Sequence, residues 1–581
     1  MMATDAEEIR LQTEQCPVPD PLSIKITRKN QDRQWKLRFI YLQCYFLTIA
    51  TILGTGILGL PVTIAHAGLL PFLVSFLVGF FVQALLIYLF VELLQKCQVV
   101  QMEALKTGVA ECIVMDSVNV EDAPCTEEDE EEEEENENAE ADTGLLQPDG
   151  AALQIQAENL QPNLHLLGRL FLSRPMSHAF NCILLFQFIS IGISYVLAGS
   201  EAYAALFNVS HIYVIPVFTW FLTLAIILAH PVIQPVTSLL TLLKGILLIV
   251  TVAVTFAVGS EVGLHSSSDF SQMGKPFLMG TVALGGIVNV MPLLFSQISH
   301  NKTQILWFRR AVLGGLTTCT LLNILWCWAV LEIVPQTSLP ERHMMTPDPS
   351  SPPVPLASAS PLLYNNISLE QSEKAGEIAT IPLTKIITER YSVYSWVARL
   401  IQVFIAISVT VSFLVMGSAM KHTIDGLVSS VWSGRLDFLS KAWEKHLPNK
   451  HVCSALSVAK GFVSLLGFVV IFIVAACDPR GFVVMLDKVV SFSLNTEVGL
   501  FVFIMLRESR EDRFQNLSVP LPVGDFVFSL SWLLPTYFLF AVVYDVLQTV
   551  ADVAHYFPHS EWPHNHSLTD SSAAVNMSVL L

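Results

Sequence analysis

The chain has 581 residues, of which 52% are hydrophobic and only 14% are charged, so a water-soluble globule is excluded and many membrane-spanning helices are expected. The net charge of -18 misleads as a global value, because much of it belongs to one acidic run, Glu127–Glu135, which must lie in water. No basic stretch interleaved with aromatic residues indicates nucleic-acid binding. The ten cysteines form no CxxC pair, so neither a disulfide framework nor a metal site is predicted.

Hydropathy predicts eleven membrane helices with a cytosolic N-terminus. Lysines and arginines cluster before helix 1 and after helices 6, 8 and 10, which places all of these segments in the cytosol by the positive-inside rule. The predicted segments are an N-terminal tail (1–38), helices 1 and 2 (39–94), a disordered acidic cytosolic loop (95–177), helices 3–7 (178–334), an extracytosolic Pro/Ser-rich loop (335–392), helices 8–11 (393–550) and an extracytosolic C-terminal tail (551–581).

Helix 1 contains a cluster of helix-weakening residues, Gly54-Thr55-Gly56-Ile57-Leu58-Gly59-Leu60-Pro61. Glycine weakens a helix and proline removes a backbone donor, so the pattern predicts a break at this point. Unwound backbone at membrane depth is tolerated where it lines a cavity, and two half-helix ends offer N–H groups to an anion and C=O groups to a cation. Such a site would suit a zwitterion. Alternatively, the glycines form a face on which another helix packs.

Helix 6 repeats this pattern, with Gly280, Gly285 and Gly286 followed by Pro292. Helices 1 and 6 are the first members of two blocks of five helices. Matching Gly/Pro interruptions in two halves of a chain indicate the central site of a transporter. The transport interpretation is therefore favoured over helix packing alone, which would have to explain both positions.

The helix 1 sequence GTGILGLP resembles the signature of the amino acid/auxin permease family, in the amino acid–polyamine–organocation superfamily, and is closest to its proton-assisted amino-acid transporters. Asn289–Pro292, followed by a basic loop, is similar to the family's helix 6 exit. The resemblance implies an all-α integral membrane protein with a LeuT-like 5+5 inverted repeat, broken helices 1 and 6, and an eleventh helix. It also implies transport of small neutral amino acids. Sodium-coupled members carry an Asn where this chain has Ala50–Leu53.

This interpretation predicts a substrate site formed by two short stretches, one in helix 1 and one in helix 6. The backbone of helix 1 would face that of helix 6 across the bound amino acid. The predicted substrate-binding residues are Thr55, Gly56, Ile57, Ala283, Leu284 and Gly285.

Ionisable and hydroxyl side chains inside the membrane are the candidates for ion coupling. An ammonium group at this depth costs about 2.5 to 3.5 kcal/mol, so Lys244 of helix 5 should face the bundle interior. Some proton-coupled relatives place a helix 5 lysine where sodium would sit, and here its partners would be helix 1 carbonyls with Ser408 and Ser412 of helix 8. Glu497 of helix 10 needs a partner from another helix or must be protonated, and it is a candidate proton carrier. Structural packing is the alternative for each.

The sequence thus predicts a secondary active transporter of small neutral amino acids that is coupled to H+, works by alternating access and needs no other cofactor. The alternative is an amino-acid receptor with little or no transport, which signals through its cytosolic tail or loop. No constellation of hydrolase or transferase residues is visible, so an enzyme is not predicted.

Short motifs predict modification and location. Sequons at Asn208, Asn366, Asn565 and Asn576 fall outside the cytosol and are predicted glycosylation sites. Asp142, Leu145 and Leu146 resemble an acidic-dileucine sorting signal, which favours the endolysosomal membrane over the plasma membrane. The expected partners are the lipid bilayer, an amino acid, and cytosolic sorting adaptors or regulators.

Overall fold

The structure is a computed structural model that describes residues 21–119, 162–228, 230–262, 267–337, 367–435, 455–477, 485–515 and 517–556. Its regular secondary structure is helical throughout these ranges. Eleven helices are long and apolar enough to cross a membrane, which confirms the predicted all-α membrane class.

The membrane helices α1 to α11 correspond in order to predicted helices 1 to 11. Their bounds are α1 Pro21–Thr63, α2 Leu69–Asn119, α3 Arg174–Phe207, α4 His211–Leu228, α5 His230–Val262, α6a Gly274–Gly285, α6b Ile287–Phe295, α7 Lys302–Ile333, α8 Ser395–Arg435, α9 Ala455–Cys477, α10 Met485–Glu508 and α11 Leu533–Tyr556. The tail predicted for 1–38 ends inside α1, and the loop predicted for 95–177 begins inside α2 and ends inside α3, because hydropathy marks where a helix leaves the apolar layer and not where it ends.

The predicted break in helix 1 is absent. α1 is one uninterrupted α-helix across the glycine cluster, and Pro61 lies in its last turn. A glycine inside a helix costs only about 1 kcal/mol, so tertiary packing can outweigh it. Gly54 and Gly56 are indeed buried at close contacts with other helices. The packing alternative therefore describes this stretch in the present conformation.

The predicted interruption of helix 6 is present. α6a ends at Gly285 and α6b begins at Ile287, with Gly286 as the single turn residue between them. Gly286 has φ -59° and ψ -10°, which any residue type can adopt. The backbone conformation therefore does not require glycine at this position. The missing side chain matters because it leaves free space.

α10 contains two π-helical segments that the sequence did not predict. Met485–Val490 and Glu497–Val502 are π-helical, and each is followed by a short α-helical segment. π-Helical turns are rare and are often found at functional sites, because they rotate the following side chains relative to an α-helix. The second segment begins at the buried Glu497.

Burial follows the two predicted blocks of five helices. The first and third helices of each block are the most enclosed. Within an apolar stretch of 18 residues in each helix, 94% and 72% of the residues are buried in α1 and α3, and 83% and 72% in α6 and α8. The fourth helices, α4 and α9, are peripheral at 33% and 22%. This correspondence is expected for a repeat of five helices. The inverted orientation of one block relative to the other stays a prediction.

Two short helices cover one end of α1, within the region predicted as a Pro/Ser-rich loop. They span Leu369–Ala375 and Thr380–Arg390. The Ala379 N–H donates to the Leu58 carbonyl of α1 at 3.4 Å. The Lys275 amine contacts the Glu373 carboxylate at 2.6 Å, which ties this cover to the start of α6a. The covered end of α1 is thus closed off from solvent.

Candidate ion and substrate site

Lys244 lies between three membrane helices with its side chain fully buried. Its Nζ donates to the Ala50 carbonyl of α1 at 3.2 Å, to the Ser408 carbonyl of α8 at 3.4 Å and to the Ser412 Oγ at 3.1 Å. An ammonium group has three donors, so these three neutral oxygens match it one to one. In the part of the chain that the structure describes, no carboxylate pairs with it. The Lys244 amine therefore joins α1 to α8 through hydrogen bonds to both helices.

Ser412 connects this amine to its surroundings. Its hydroxyl donates to the Ala50 carbonyl at 3.0 Å while it accepts from Lys244. The Tyr195 hydroxyl of α3 pairs with Ser412 in turn. Of the two predicted serines, Ser412 contributes its hydroxyl to the amine and Ser408 contributes only its backbone carbonyl. Thr410 lies on another face of α8, where its hydroxyl pairs with that of Tyr203 at 3.0 Å.

Gly54 makes this cluster possible, because the α1 backbone lies close to Tyr195 and Ser412 at this residue. A Cβ placed on Gly54 would meet the Tyr195 hydroxyl at 2.6 Å and the Ser412 Cβ at 2.7 Å. Real Cβ atoms do not approach other atoms so closely. The glycine thus has a packing role that brings the α1 backbone within hydrogen-bonding reach of the Lys244 amine.

A small enclosed cavity lies beside the cluster at the centre of the bundle. It is lined by residues from α1, α3, α6, α8 and α10, namely Thr51, Ile191, Tyr195, Val282, Gly286, Met416, Val490 and Leu494. The centre of a water-sized sphere can move within only about 10 Å³ of it. That volume is at the threshold for one water molecule, so no amino acid fits without movement of the lining. Tyr195 belongs to both the cavity and the Lys244 cluster.

The predicted substrate residues of α6 lie near this cavity, but none of them lines it. Val282 and Gly286, one turn apart, line the cavity instead. Ala283 faces Gly56 of α1, Leu284 faces α2, and Gly285 packs on Leu494 of α10. The predicted stretch of α6 adjoins the cavity, but which of its residues face the cavity depends on the helical phase, which the neighbouring helices set. Substrate binding by Ala283, Leu284 and Gly285 stays a prediction.

The predicted substrate residues of α1 are part of the continuous helix. Gly56 is wedged between α6 and α7, where its missing Cβ would lie 2.8 Å from the Asn323 Oδ1 and 3.2 Å from the Ala283 Cβ. The side chains of Thr55 and Ile57 lie outside the described residues. Pro61 supplies no N–H to the Ile57 carbonyl, so this is the backbone oxygen that the helix leaves without its usual donor. Substrate binding by this stretch stays a prediction and requires α1 to open.

Glu497 lies apart from Lys244 and is also fully buried. Neither of its carboxyl oxygens has a hydrogen bond of good geometry, and the Gln187 amide of α3 is its polar neighbour. Nearby, the Asn495 amide donates to the Thr281 hydroxyl of α6a at 3.0 Å. A neutral amide from another helix thus lies beside Glu497, and the role of Glu497 as a proton carrier stays a prediction.

Sequence reasoning missed three residues around the site: Tyr195, Cys319 and Asn323. The Cys319 Sγ donates to the Ile49 carbonyl at 3.8 Å beside Lys244, and the Asn323 amide donates to the Cys319 carbonyl at 3.0 Å. A fully buried Asn in an apolar helix is rare enough to have been singled out from the sequence. Nothing in the sequence indicated Tyr195 or Cys319.

Most of the motif predictions fall outside the described residues. These are the acidic run, the sorting residues Asp142, Leu145 and Leu146, and the sequons at Asn366, Asn565 and Asn576. Asn208 is described: it is exposed and ends α3 in the left-handed conformation with φ 56°. Its position is open to a modifying enzyme, and its glycosylation stays a prediction.

No protein-family model matches the sequence, and no curated protein matches it. Among solved structures, the manganese transporter of Eremococcus coleocola, crystallised with an aromatic bis-isothiourea compound, is similar at 10% identity and TM-score 0.47, covering 91% of this chain and 90% of that one. A point mutant of that transporter gives 10% identity and TM-score 0.42, with 90% and 89% coverage. Scores below 0.5 do not establish a shared topology, so neither family nor substrate is transferred, and the amino acid/auxin permease resemblance stays a prediction.

Proposed function

We propose that this protein is a secondary active transporter of small neutral amino acids, coupled to protons. The observation that carries the proposal is the Lys244 amine, held by three neutral oxygens from α1 and α8 beside a closed cavity at the centre of the bundle. Burying a cation in the membrane costs free energy, and ionisable residues at this depth are usually functional. Proton exchange therefore accounts for Lys244 better than packing alone.

Proton transfer at Lys244 would alter the contact between α1 and α8. A protonated amine donates to all three acceptors, whereas a neutral amine has only two N–H groups and must leave one acceptor unpaired. The Ala50 carbonyl still receives the Ser412 hydroxyl, so the junction loosens without coming apart. Release of the proton to water entering from one side would thus be linked to movement of α1.

The same movement would open the substrate site. The present cavity is closed, and alternating access requires a closed state between two open ones. Gly286 and the interruption of α6 lie on the cavity wall, and α1 presents the Ile57 carbonyl near its covered end. A small amino acid would place its charged groups against such backbone atoms, because the described lining offers no carboxylate or guanidinium.

The decisive experiment is uptake of labelled neutral amino acids into proteoliposomes that hold the purified protein, with and without an imposed pH gradient. Wild-type uptake should rise with the gradient, and Lys244→Ala should lose the gradient dependence. Gly245→Ala is the matched control, because a Cβ at Gly245 meets nothing within 4 Å and the residue adjoins Lys244 in sequence. Its uptake should equal that of the wild type.

The outcomes distinguish the parts of the proposal. Gradient-insensitive uptake by the wild type would remove proton coupling and leave transport. Binding of an amino acid without saturable uptake would favour the receptor alternative. Glu497→Gln tests a second proton carrier: a neutral side chain of similar shape should reduce gradient-driven uptake if the carboxyl exchanges a proton, and change nothing if Glu497 only packs.

The location proposal is an endolysosomal membrane, based on the acidic-dileucine pattern. Leu145→Ala with Leu146→Ala should shift a fluorescently tagged chain toward the plasma membrane. An unchanged distribution would contradict the sorting role. Asn208→Gln should reduce the apparent mass by one glycan if this exposed sequon is modified.

A further inference from the structure

A wide groove opens between the first turns of the α1 and α7 membrane spans. These spans start at Gln34 and Lys302, so the groove lies at the membrane–water boundary. Its volume is about 970 Å³, far larger than that of the central cavity. By the positive-inside rule this is the cytosolic boundary. The groove is separate from the Lys244 cluster, and it does not depend on the proposed transport function.

Two arginines line the groove, one from each helix. Arg38 and Arg310 are both exposed, and no carboxylate of the described residues forms an ion pair with either of them. The Arg310 guanidinium lies 5.2 Å from the centre of the Trp307 ring, which is stacked on Tyr41 across the groove at 6.4 Å. The two positive charges are thus available to an anion, and an aromatic contact between α1 and α7 holds one of them in place.

Apart from these arginines and four polar residues, Gln34, Asn301, Thr303 and Gln304, the groove is lined by apolar and aromatic side chains. Leu42 and Trp307 remain 50% and 49% exposed, and Leu37 and Ala311 complete the apolar wall. A water-soluble anion would gain nothing from such a wall. A ligand with a negative head and hydrocarbon chains complements both parts of the groove, since basic pockets between helices on the cytosolic side suit anionic head groups.

We infer that this groove binds an anionic phospholipid of the surrounding leaflet, with the head-group phosphate at Arg38 and Arg310 and the acyl chains along the apolar wall. The bound lipid bridges α1 and α7. Because α1 also carries the Ala50 carbonyl and Gly54, occupancy of the groove would stabilise the helix on which the Lys244 cluster is built.

The test measures lipid binding directly. The full chain, purified in detergent and stripped of lipid, is titrated with dioleoyl phosphatidylglycerol or dioleoyl phosphatidylcholine, and bound lipid is counted by native mass spectrometry. The wild type should prefer phosphatidylglycerol. Arg38→Gln and Arg310→Gln should each weaken that binding about fivefold, which corresponds to about 1 kcal/mol for each positive charge near a lipid head group.

Arg513→Gln is the matched control, because Arg513 is exposed and lies outside the groove. The substitution removes the same charge as the other two. Its phosphatidylglycerol binding should equal that of the wild type, and all variants should elute as the same monodisperse species. Equal binding of the two lipids by the wild type would overturn the proposal, as would equal losses in all three variants. Full competition by inorganic phosphate at matched concentration would also overturn it, because the site would then be one for free anions.

Discussion

α1 and α6 have the same kind of sequence and different structures. Both carry three or more glycines followed by a proline, yet α1 is continuous and α6 is interrupted at Gly286. The difference lies in what the glycines contact. Gly54 and Gly56 of α1 are pressed against side chains of α3, α6, α7 and α8, and Gly285 of α6 is pressed against Leu494 in the same way. A Cβ on Gly286, in contrast, would meet only the Thr51 Cγ2 at 3.5 Å.

A glycine cluster in a membrane helix thus has two separate uses. In α1 it allows close approach, which brings the backbone of Ala50 to Lys244. In α6, Gly286 leaves space that is part of the central cavity, whereas Gly285 packs closely on Leu494. Four measurements test this distinction.

Gly54→Ala should have the largest effect. Its Cβ would clash with Tyr195 and with Ser412, and overpacking of a buried site costs about 1–3 kcal/mol. The apparent Tm of the purified protein should fall, and gradient-driven uptake should be lost with it. Gly245→Ala, which gains no contact, should retain the wild-type Tm. An unchanged Tm for Gly54→Ala would mean that α1 does not pack in this way.

Gly56→Ala should come next. The nearest atom, the Asn323 Oδ1, belongs to a side-chain amide that can rotate away, but the Ala283 Cβ at 3.2 Å cannot. The expected loss is about 1 kcal/mol, at the lower end of the range for overpacking. A thermal-shift series should therefore rank the variant between Gly54→Ala and the wild type. A loss as large as that of Gly54→Ala would contradict this order.

Gly286→Ala should act in the opposite direction on stability. The backbone conformation there suits alanine and the space is free, so the smaller entropy of the unfolded chain should add about 0.4–1 kcal/mol. Uptake should nevertheless decrease, because the new methyl group takes up part of the cavity. A stabilised protein with unimpaired uptake would show that the cavity next to Gly286 is not used by the substrate.

Hydrogen exchange should reveal the smallest difference. Peptides that cover the α6 interruption should exchange about fivefold faster than those covering the α1 glycine cluster, which corresponds to one backbone hydrogen bond of about 1 kcal/mol. Measurement in nanodiscs, on the full chain, avoids detergent effects on the helix ends. Faster exchange in α1 would indicate that its continuous helix opens as readily as the sequence pattern suggests.

The membrane class, the number of spans and the burial of Lys244 could all be predicted from the amino-acid sequence. These follow from composition, hydropathy and the cost of a charge in the bilayer, all of which are local properties. The location of the α6 interruption was also predictable, since Gly286 is flanked by Gly285 and followed by Pro292. The burial of Glu497 was predictable for the same reason as that of Lys244.

Contacts between helices distant in the chain decide which glycines unwind a helix and which ones pack. The local cost of a glycine is about 1 kcal/mol, so the contacts made by neighbouring helices outweigh it and set the result. The same holds for helical phase: the cavity is lined by Val282 and Gly286 in place of the neighbours predicted for it, because the direction that a side chain faces depends on the helices packed around it. Tyr195 and Cys319 joined the Lys244 cluster through contacts between residues far apart in the chain, and no local pattern encodes such contacts.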